Sequence, residues 1–197
     1  MREKYGLADP YFLFVGNIEP KKNVDQIIKA FFAVKLEKKI PHRLVLAGRR
    51  AWKSGPVFRL VRELGMKELG MDGHIRFLGH VPDGDLPLLY AGAEAFLFPS
   101  HWEGFGLPPL EAMASGVPVI ASKAPVFAET LGEAALAVES TDLPGLRAAL
   151  IEFLKDPRLG AQLKERGLAR VKAFTWERAA RATIEVYEEA AAEMGPV

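Results

Sequence analysis

The sequence predicts an α/β fold: a doubly wound parallel sheet of about six strands with helices on both faces. Six short runs rich in β-branched and aromatic residues alternate with segments of helical period. Each run is apolar along nearly its whole length, which is typical of strands that are buried on both faces. The usual strand order is 3-2-1-4-5-6, so the loops after the first and fourth strands diverge at the carboxyl edge, where ligands bind.

The elements follow from these runs and from the segments between them. Strands are predicted at 11–15, 43–47, 75–78, 95–98, 118–121 and 135–138. Asn23 is predicted to cap a helix that runs to about Lys39. Further helices are predicted at 57–69, 86–91, 109–114, 127–131, 143–154, 158–172 and 176–192. No repeat or linker divides the chain, so residues 1–197 are expected to form a single domain.

Composition excludes several classes of protein. The 26 Lys+Arg and 25 Asp+Glu residues leave a net charge of +1, so no global field indicates nucleic acid as a partner. The absence of cysteine excludes disulfides, thiolate metal sites and thiol nucleophiles, and the four histidines lack zinc-ligand spacing. No apolar run approaches the roughly 18 residues of a membrane span, and the start lacks a signal-peptide pattern. A cytoplasmic protein is therefore expected.

The loop after the first strand reads G-N-I-E-P-K-K-N from Gly16 to Asn23. It places Lys21 and Lys22 beside a helix N-terminus, where they do not complement the helix dipole, so they favour an external anion. The loop matches neither G-x-G-x-x-G nor the Walker A pattern. A solvated turn and a phosphate-binding loop both remain open on this segment alone.

The loop after the fourth strand carries the largest group of candidate ligand-binding residues. Gly104 and Gly106 allow the backbone to approach a ligand closely and to present N–H groups to it. Glu103 lies in the loop, and Glu111 lies in the helix that follows, where it also suits the helix dipole. Carboxylates accept from hydroxyls, while lysines and N–H groups hold phosphates, so the two loops suit a ligand that carries both groups.

The run F-P-S-H-W-E-G-F-G-L-P-P-L-E-A-M-A-S-G-V-P-V-I-A-S resembles glycosyltransferase family 4. Its two glutamates, separated by seven residues around G-F-G, match the signature of that family. Further matches are F-V-G-N-I-E-P-K-K-N, L-V-L-A-G, I-R-F-L-G-H-V and F-T-W-E-R-A-A. The resemblance implies one Rossmann-like half of a two-domain GT-B fold, with an acceptor-binding domain expected in front of it.

The resemblance also implies site residues. Lys22 would contact the donor diphosphate, Glu103 the hydroxyls of the transferred sugar, and Glu111 the ribose hydroxyls. Catalytic roles therefore fall on Glu103 and Lys22. The remaining expected donor-binding residues are Gly16, Asn17 and Lys21 in the first loop, His80 and Val81 near the nucleobase, and Gly104, Phe105, Gly106 and Leu107 through their backbone. Many family members have Arg where this chain has Asn17.

The activity that the resemblance implies is retaining transfer of a hexose from a nucleotide diphosphate sugar to an acceptor hydroxyl. The loop resembles a mannosyltransferase-rich subgroup, so GDP-mannose is the first expectation for the donor and a UDP-sugar the second. No metal or other cofactor is expected, and Asp83-Gly84-Asp85 is interpreted as a turn with an N-cap. Two alternatives stay open: a nucleotide-sugar-binding module without independent catalysis, and a sugar-nucleotide epimerase of the same architecture.

The C-terminal helix, at about 176–192, carries apolar residues at helical spacing. In the GT-B fold the last helix crosses to the first domain, so this helix is expected to pack on a missing N-terminal domain. In isolation it should expose an apolar patch that supports self-association. Catalysis is expected to need the missing domain, which would also make any contact with a membrane.

Overall fold

The six predicted strands lie side by side in one parallel sheet of the computed structural model, which describes residues 2–64 and 73–194. In chain order they are β1 (Tyr11–Val15), β2 (Arg43–Ala47), β3 (Ile75–Gly79), β4 (Ala95–Phe98), β5 (Val119–Ser122) and β6 (Ala135–Val138). Their order across the sheet is β3-β2-β1-β4-β5-β6, which confirms the doubly wound arrangement. The predicted bounds of β3 and β5 are off by one residue.

Helices precede, connect and follow the strands within the described ranges. They are α1 (Arg2–Tyr5), α2 (Val24–Lys38), α3 (Gly55–Glu63), α4 (Leu86–Ala91), α5 (Leu107–Ala114), α6 (Pro125–Thr130), α7 (Leu143–Lys155), α8 (Pro157–Arg170) and α9 (Trp176–Met194). Single turns of 3-10 helix occupy Pro20–Lys22, Gly132–Ala134 and Val171–Ala173. The helix predicted at 57–69 begins earlier, and its last predicted residues, 65–69, lie outside the described residues.

The helices form two layers. α2 packs against α3 and α7, and α5 packs against α4 and α8. The crossover from β1 to β2 moves one way across the sheet, and the crossover from β4 to β5 moves the other way. Because such crossovers are right-handed, α2 and α5 must lie on opposite faces of the sheet. The predicted cover on both faces is therefore confirmed.

The double cover explains why the strands are apolar throughout. Phe12, Leu13 and Phe14 of β1 are all fully buried. The ring of Phe14 stacks on that of Phe98 with a centroid distance of 5.8 Å. Burial of each such side chain contributes about 1.5–3 kcal/mol relative to exposure, so the centre of the sheet is a rigid support for the loops at its carboxyl edge.

Asn23 occupies the N-cap position of α2, as predicted. Asn23 has a left-handed backbone (φ 58°) between the 3-10 turn and α2, and its side chain makes no cap hydrogen bond. Its Nδ2 instead donates to the carbonyl oxygens of Pro99 at 3.0 Å and Ser140 at 2.6 Å. Asn tolerates the left-handed conformation better than most residues, and the amide joins three loops at the carboxyl edge.

The segment Asp83-Gly84-Asp85 forms a turn, as predicted. Asp85 occupies the N-cap position of α4, but its carboxylate makes no cap hydrogen bond. It accepts from Lys4 Nζ at 2.5 Å and from Tyr5 Oη at 2.6 Å. These hydrogen bonds, led by that of Lys4, hold the pKa of the Asp85 carboxyl below its ordinary value. The carboxylate therefore links the N-terminal segment to the start of α4.

The last helix projects its side chains into solvent. Every residue from Trp176 to Glu193 is exposed, with Trp176 at 84% and Tyr187 at 69% of their full accessible surface. Ile184 and Val186 are also more than half exposed. We call these four side chains the α9 patch. The predicted exposure of apolar side chains on this helix is confirmed.

Candidate functional site

The loops after β1 and β4 meet at the carboxyl edge of the sheet, as the strand order predicts. β1 lies beside β4, and the backbone N–H of His101 donates to the carbonyl oxygen of Lys21 at 2.8 Å. Asn23 provides the second connection through its hydrogen bond to Pro99. The two loops are therefore joined directly by hydrogen bonds.

Lys22 and Glu103 form an ion pair at this junction. Lys22 Nζ lies 2.6 Å from Glu103 Oε1, and the two side chains keep only 11% and 9% of their accessible surface. The ammonium also lies 4.8 Å from the centroid of the Phe98 ring, close enough for a cation–π contact. A cation and a carboxylate that are 81 positions apart in the chain thus share one largely desolvated point.

The backbone that carries Lys22 is held on both sides. The N–H of Lys22 donates to the carbonyl oxygen of Glu19 at 3.1 Å, which closes the 3-10 turn. The next residue, Asn23, is fixed by its two side-chain hydrogen bonds. Lys22 can therefore change partner by rotating its side chain while its backbone stays in place.

The loop after β2 packs closely under the first loop. The N–H of Gly16 donates to the carbonyl oxygen of Ala47 at 2.9 Å, and that of Ile18 to Arg49 at 2.9 Å. At position 48 a β-carbon would lie 1.8 Å from the carbonyl oxygen of Gly16, so only glycine fits. The role of Gly48 was not predicted, although a glycine directly after a buried strand was a local signal for close backbone approach.

The loop of residues 99–106 after β4, which we call the glycine loop, has open space on one side and a packed ring on the other. A β-carbon at Gly104 would meet no atom within 4 Å, so this part of the loop is accessible to a ligand. Gly106 has a left-handed backbone (φ 92°), and a β-carbon there would lie 2.5 Å from the Phe127 ring. α5 begins at Leu107, where the first N–H groups of the helix have no intrahelical partners.

Glu111 lies one turn into α5 and is oriented by a buried tyrosine. The hydroxyl of Tyr90 donates to Glu111 Oε2 at 2.8 Å. Burial, together with the nearby carboxylate, raises the pKa of Tyr90 far above its ordinary value, so the hydroxyl remains a donor. Glu111 is exposed, so its carboxylate has a fixed direction and is accessible to solvent.

Comparison with known proteins identifies the family. The family model described as "Glycosyl transferases group 1" matches residues 1–170. The chain belongs to this glycosyltransferase family. The structure also resembles the solved structure of sucrose-phosphate synthase from Thermosynechococcus elongatus, with a TM-score of 0.79 and 29% identity over 96% of this chain and 48% of that one. The structural neighbours are GT-B glycosyltransferases, so the predicted family and fold are confirmed.

Two curated relatives are mannosyltransferases. O-antigen chain mannosyltransferase B of Escherichia coli is 40% identical over 94% of this chain and 48% of the relative. The GDP-mannose-dependent alpha-(1-6)-phosphatidylinositol monomannoside mannosyltransferase of Mycolicibacterium smegmatis is 31% identical over 83% of this chain and 44% of the relative. The chain thus spans about half the length of these two relatives.

Four other predicted site residues of this group 1 glycosyltransferase chain lie in the loops after β1 and β3. Lys21 pairs with Glu19 at 3.5 Å, and Asn17 is exposed. His80 is exposed and Val81 is buried directly after β3, at the same edge of the sheet. With a strand spacing of roughly 4.8 Å, the end of β3 lies about 10 Å from the end of β1. No hydrogen bond of the described residues joins His80 to Lys22 or Glu103.

A cleft of about 790 Å³ lies between α5 and α9 and includes Glu111 in its wall. Phe105 of the glycine loop and Leu107 at the start of α5 line it from one side, and Trp176 lines it from α9. The cleft connects the glycine loop with the exposed last helix.

Residues 2–64 and 73–194 contain no group of three or more His, Asp and Glu side chains that could hold a metal ion. Within the same part of the chain, no helix has both the length and the apolar character needed to cross a membrane.

Proposed function

We propose that this chain is the donor-binding half of a retaining hexosyltransferase that moves a hexose from a nucleotide diphosphate sugar to an acceptor hydroxyl. The observation that supports the proposal is the Lys22–Glu103 pair, which brings together a cation suited to a phosphate and a carboxylate suited to sugar hydroxyls. The pair lies where the loops after β1 and β4 meet, at the edge where doubly wound sheets bind ligands.

In the proposed reaction, the bond between the anomeric carbon and the β-phosphate oxygen breaks, and the acceptor oxygen bonds to that carbon on the same face. The hydroxyl proton passes to the leaving phosphate oxygen. Lys22 stabilises the negative charge that develops on the diphosphate, together with backbone N–H groups of residues 104–107. Glu103 accepts hydrogen bonds from the sugar hydroxyls and positions the ring. These groups supply the required charge without a metal ion.

We propose GDP-mannose as the donor. The first loop resembles a mannosyltransferase-rich subgroup, and one relative is named as GDP-mannose-dependent. In this proposal Glu111 holds the ribose hydroxyls, in the orientation that Tyr90 gives it. His80 and Val81 receive the base, about 10 Å along the sheet edge from the end of β1. A UDP-sugar is the alternative donor.

Acceptor binding is assigned to a second domain. The chain spans about half the length of its relatives, and the α9 patch is an apolar surface without a partner among the described residues. We propose that α9 packs on the acceptor-binding domain and that transfer requires that domain, which would also make any contact with a membrane. We also propose that the protein acts in the cytoplasm.

Titration calorimetry of the chain with GDP, UDP and ADP tests the proposal. One of the three should bind, and Lys22→Met should abolish that binding because the cation for the diphosphate is lost. Lys123→Met is the matched control, since Lys123 pairs with Glu139 at 3.0 Å on the surface and should be dispensable. Failure of all three nucleotides to bind the unaltered chain would refute the proposal.

Transfer is assayed with the chain joined to the acceptor-binding half of the Escherichia coli relative, with GDP-mannose as donor. Glu103→Ala should abolish transfer while GDP binding is retained, because Glu103 contacts the sugar and not the nucleotide. The half-length match favours a second candidate function, a nucleotide-sugar-binding module without independent catalysis. Donor binding without transfer in the joined protein would support that candidate.

A further inference from the structure

We propose that the Lys22–Glu103 ion pair of the empty site must break when a ligand binds, and that a nucleotide sugar compensates the free-energy cost better than a free nucleoside diphosphate does. We call this ion pair the lock. This inference rests on the proposed function of the two residues. The diphosphate draws Lys22 away from Glu103, and the sugar hydroxyls then satisfy the carboxylate. A nucleoside diphosphate supplies only the first of these two interactions.

The pair is the sole polar contact of both side chains among the residues that the structure describes. Glu103 Oε1 accepts from Lys22 Nζ at 2.6 Å, and no other side-chain hydrogen bond or ion pair to either group is formed within those ranges. Both groups are about nine-tenths buried. Removing one partner from a buried pair leaves the other charge uncompensated, which is strongly unfavourable.

Binding of a diphosphate must disturb this pair. The Lys22 ammonium is the buried cation at the junction, and a diphosphate offers more negative charge than a single carboxylate. When the ammonium turns to the phosphates, Glu103 remains as a negative group beside a negative ligand. A β-carbon at Gly104, the next residue in the chain, would meet no atom within 4 Å, so there is open space beside this loop for a ligand.

A sugar on the diphosphate provides that group. Its hydroxyls donate to the carboxylate, so the nucleotide sugar recovers the interaction that Glu103 loses. The free nucleoside diphosphate, which is the product after transfer, leaves Glu103 without a donor. The ion pair therefore disfavours product binding more than donor binding, and its reformation promotes release of the product.

Glu103→Gln tests the inference, because glutamine keeps the shape of the side chain and removes its charge. Lys22 is then available to the diphosphate without loss of an ion pair. The affinity for GDP should rise at least about tenfold, which corresponds to about 1.4 kcal/mol. The affinity for GDP-mannose should rise much less, so the preference for donor over GDP should shrink by a similar factor.

Two controls separate the lock from a general charge effect. Glu139→Gln removes one negative charge from an exposed lysine–glutamate pair after β6 and should leave GDP affinity unchanged. In a Lys22→Met background, GDP binding should stay undetectable whether or not Glu103→Gln is added, because the lysine that Glu103→Gln releases is absent; recovery of binding would indicate a general charge effect. Thermal unfolding of each variant verifies that it is folded.

The outcomes are distinguishable from those of the proposed function. If the unaltered chain binds GDP and GDP-mannose but Glu103→Gln does not tighten GDP binding, the lock is refuted and the proposed function stands. Equal tightening by Glu139→Gln also refutes it. Should Glu103→Gln fail to fold, a crystal structure of the unaltered chain with GDP decides. The lock requires Lys22 on the β-phosphate and away from Glu103, and an intact pair beside bound GDP overturns it.

Discussion

Substitution of Asn23 by aspartate distinguishes two roles for this residue. If the side chain of Asn23 capped α2, aspartate would serve equally well and would also suit the helix dipole. In the structure, Asn23 Nδ2 donates to two carbonyl oxygens, those of Pro99 and Ser140, and aspartate has no N–H to donate. Aspartate also tolerates the left-handed backbone, so the change isolates the two hydrogen bonds.

The magnitude follows from the two buried contacts. A buried acceptor left without its donor costs about 1–3 kcal/mol, and two are affected, so Asn23→Asp should lower the free energy of unfolding by about 2–6 kcal/mol. The new carboxylate also faces two carbonyl oxygens, which raises its pKa in the folded state. Its protonated form regains one donor. The loss of stability should therefore diminish as the pH falls through that raised pKa.

Urea denaturation at neutral pH measures the effect. The midpoint should fall while the slope of the transition stays constant, because the surface exposed on unfolding is unchanged. The reciprocal change Asp142→Asn is the matched control. Asp142 is a true N-cap whose carboxylate accepts from the N–H of Gly145 at 2.9 Å, so asparagine should change stability by less than about 0.5 kcal/mol. An Asn23→Asp variant as stable as the unaltered chain would refute the bridging role.

Two further predictions concern Glu111, which is proposed to bind the ribose hydroxyls, and the last helix. Tyr90→Phe removes the hydrogen bond that orients Glu111, worth about 1 kcal/mol, and should weaken GDP binding about fivefold in calorimetry; an unchanged affinity would contradict the orienting role. The chain alone should self-associate with rising concentration in sedimentation experiments, and Trp176→Glu with Tyr187→Glu should restore the monomer without loss of thermal stability. Association that persists in this double variant would place the contact elsewhere.

The strands could be predicted because double burial leaves a local signature. A run such as 11–15 or 43–47 is apolar at every position only if both faces are covered, and the structure has both strands with the predicted bounds. The order of the strands then placed the loops of Lys22 and Glu103 side by side. The sequence was thus sufficient for the prediction that the two residues meet, and the ion pair agrees with it.

Other features depend on neighbours that no local pattern identifies. Tyr90 belongs to α4, and its sequence context indicates only an aromatic residue of the core. The packing of α4 on α5 directs its hydroxyl to Glu111. Asn23 has the residue type of a helix cap, and only the loops after β4 and β6 supply the carbonyl oxygens that it binds instead. In both cases the side chain's partner is distant in sequence, so spacing and propensity carry no information about it.

The position of Lys22 is consistent with a functional requirement rather than with local stability. Two lysines directly before α2 oppose the positive end of the helix dipole, so helix stability alone disfavours them. In the empty site Glu103 neutralises Lys22 from a loop 81 positions away, which compensates the local conflict through the tertiary structure. Violations of local preference that are balanced in this way are expected where a site must hold a charged ligand. Because Glu103 neutralises Lys22 in the empty site, Glu103 must change partner when Lys22 binds that ligand. This requirement makes Glu103→Gln the most informative single variant.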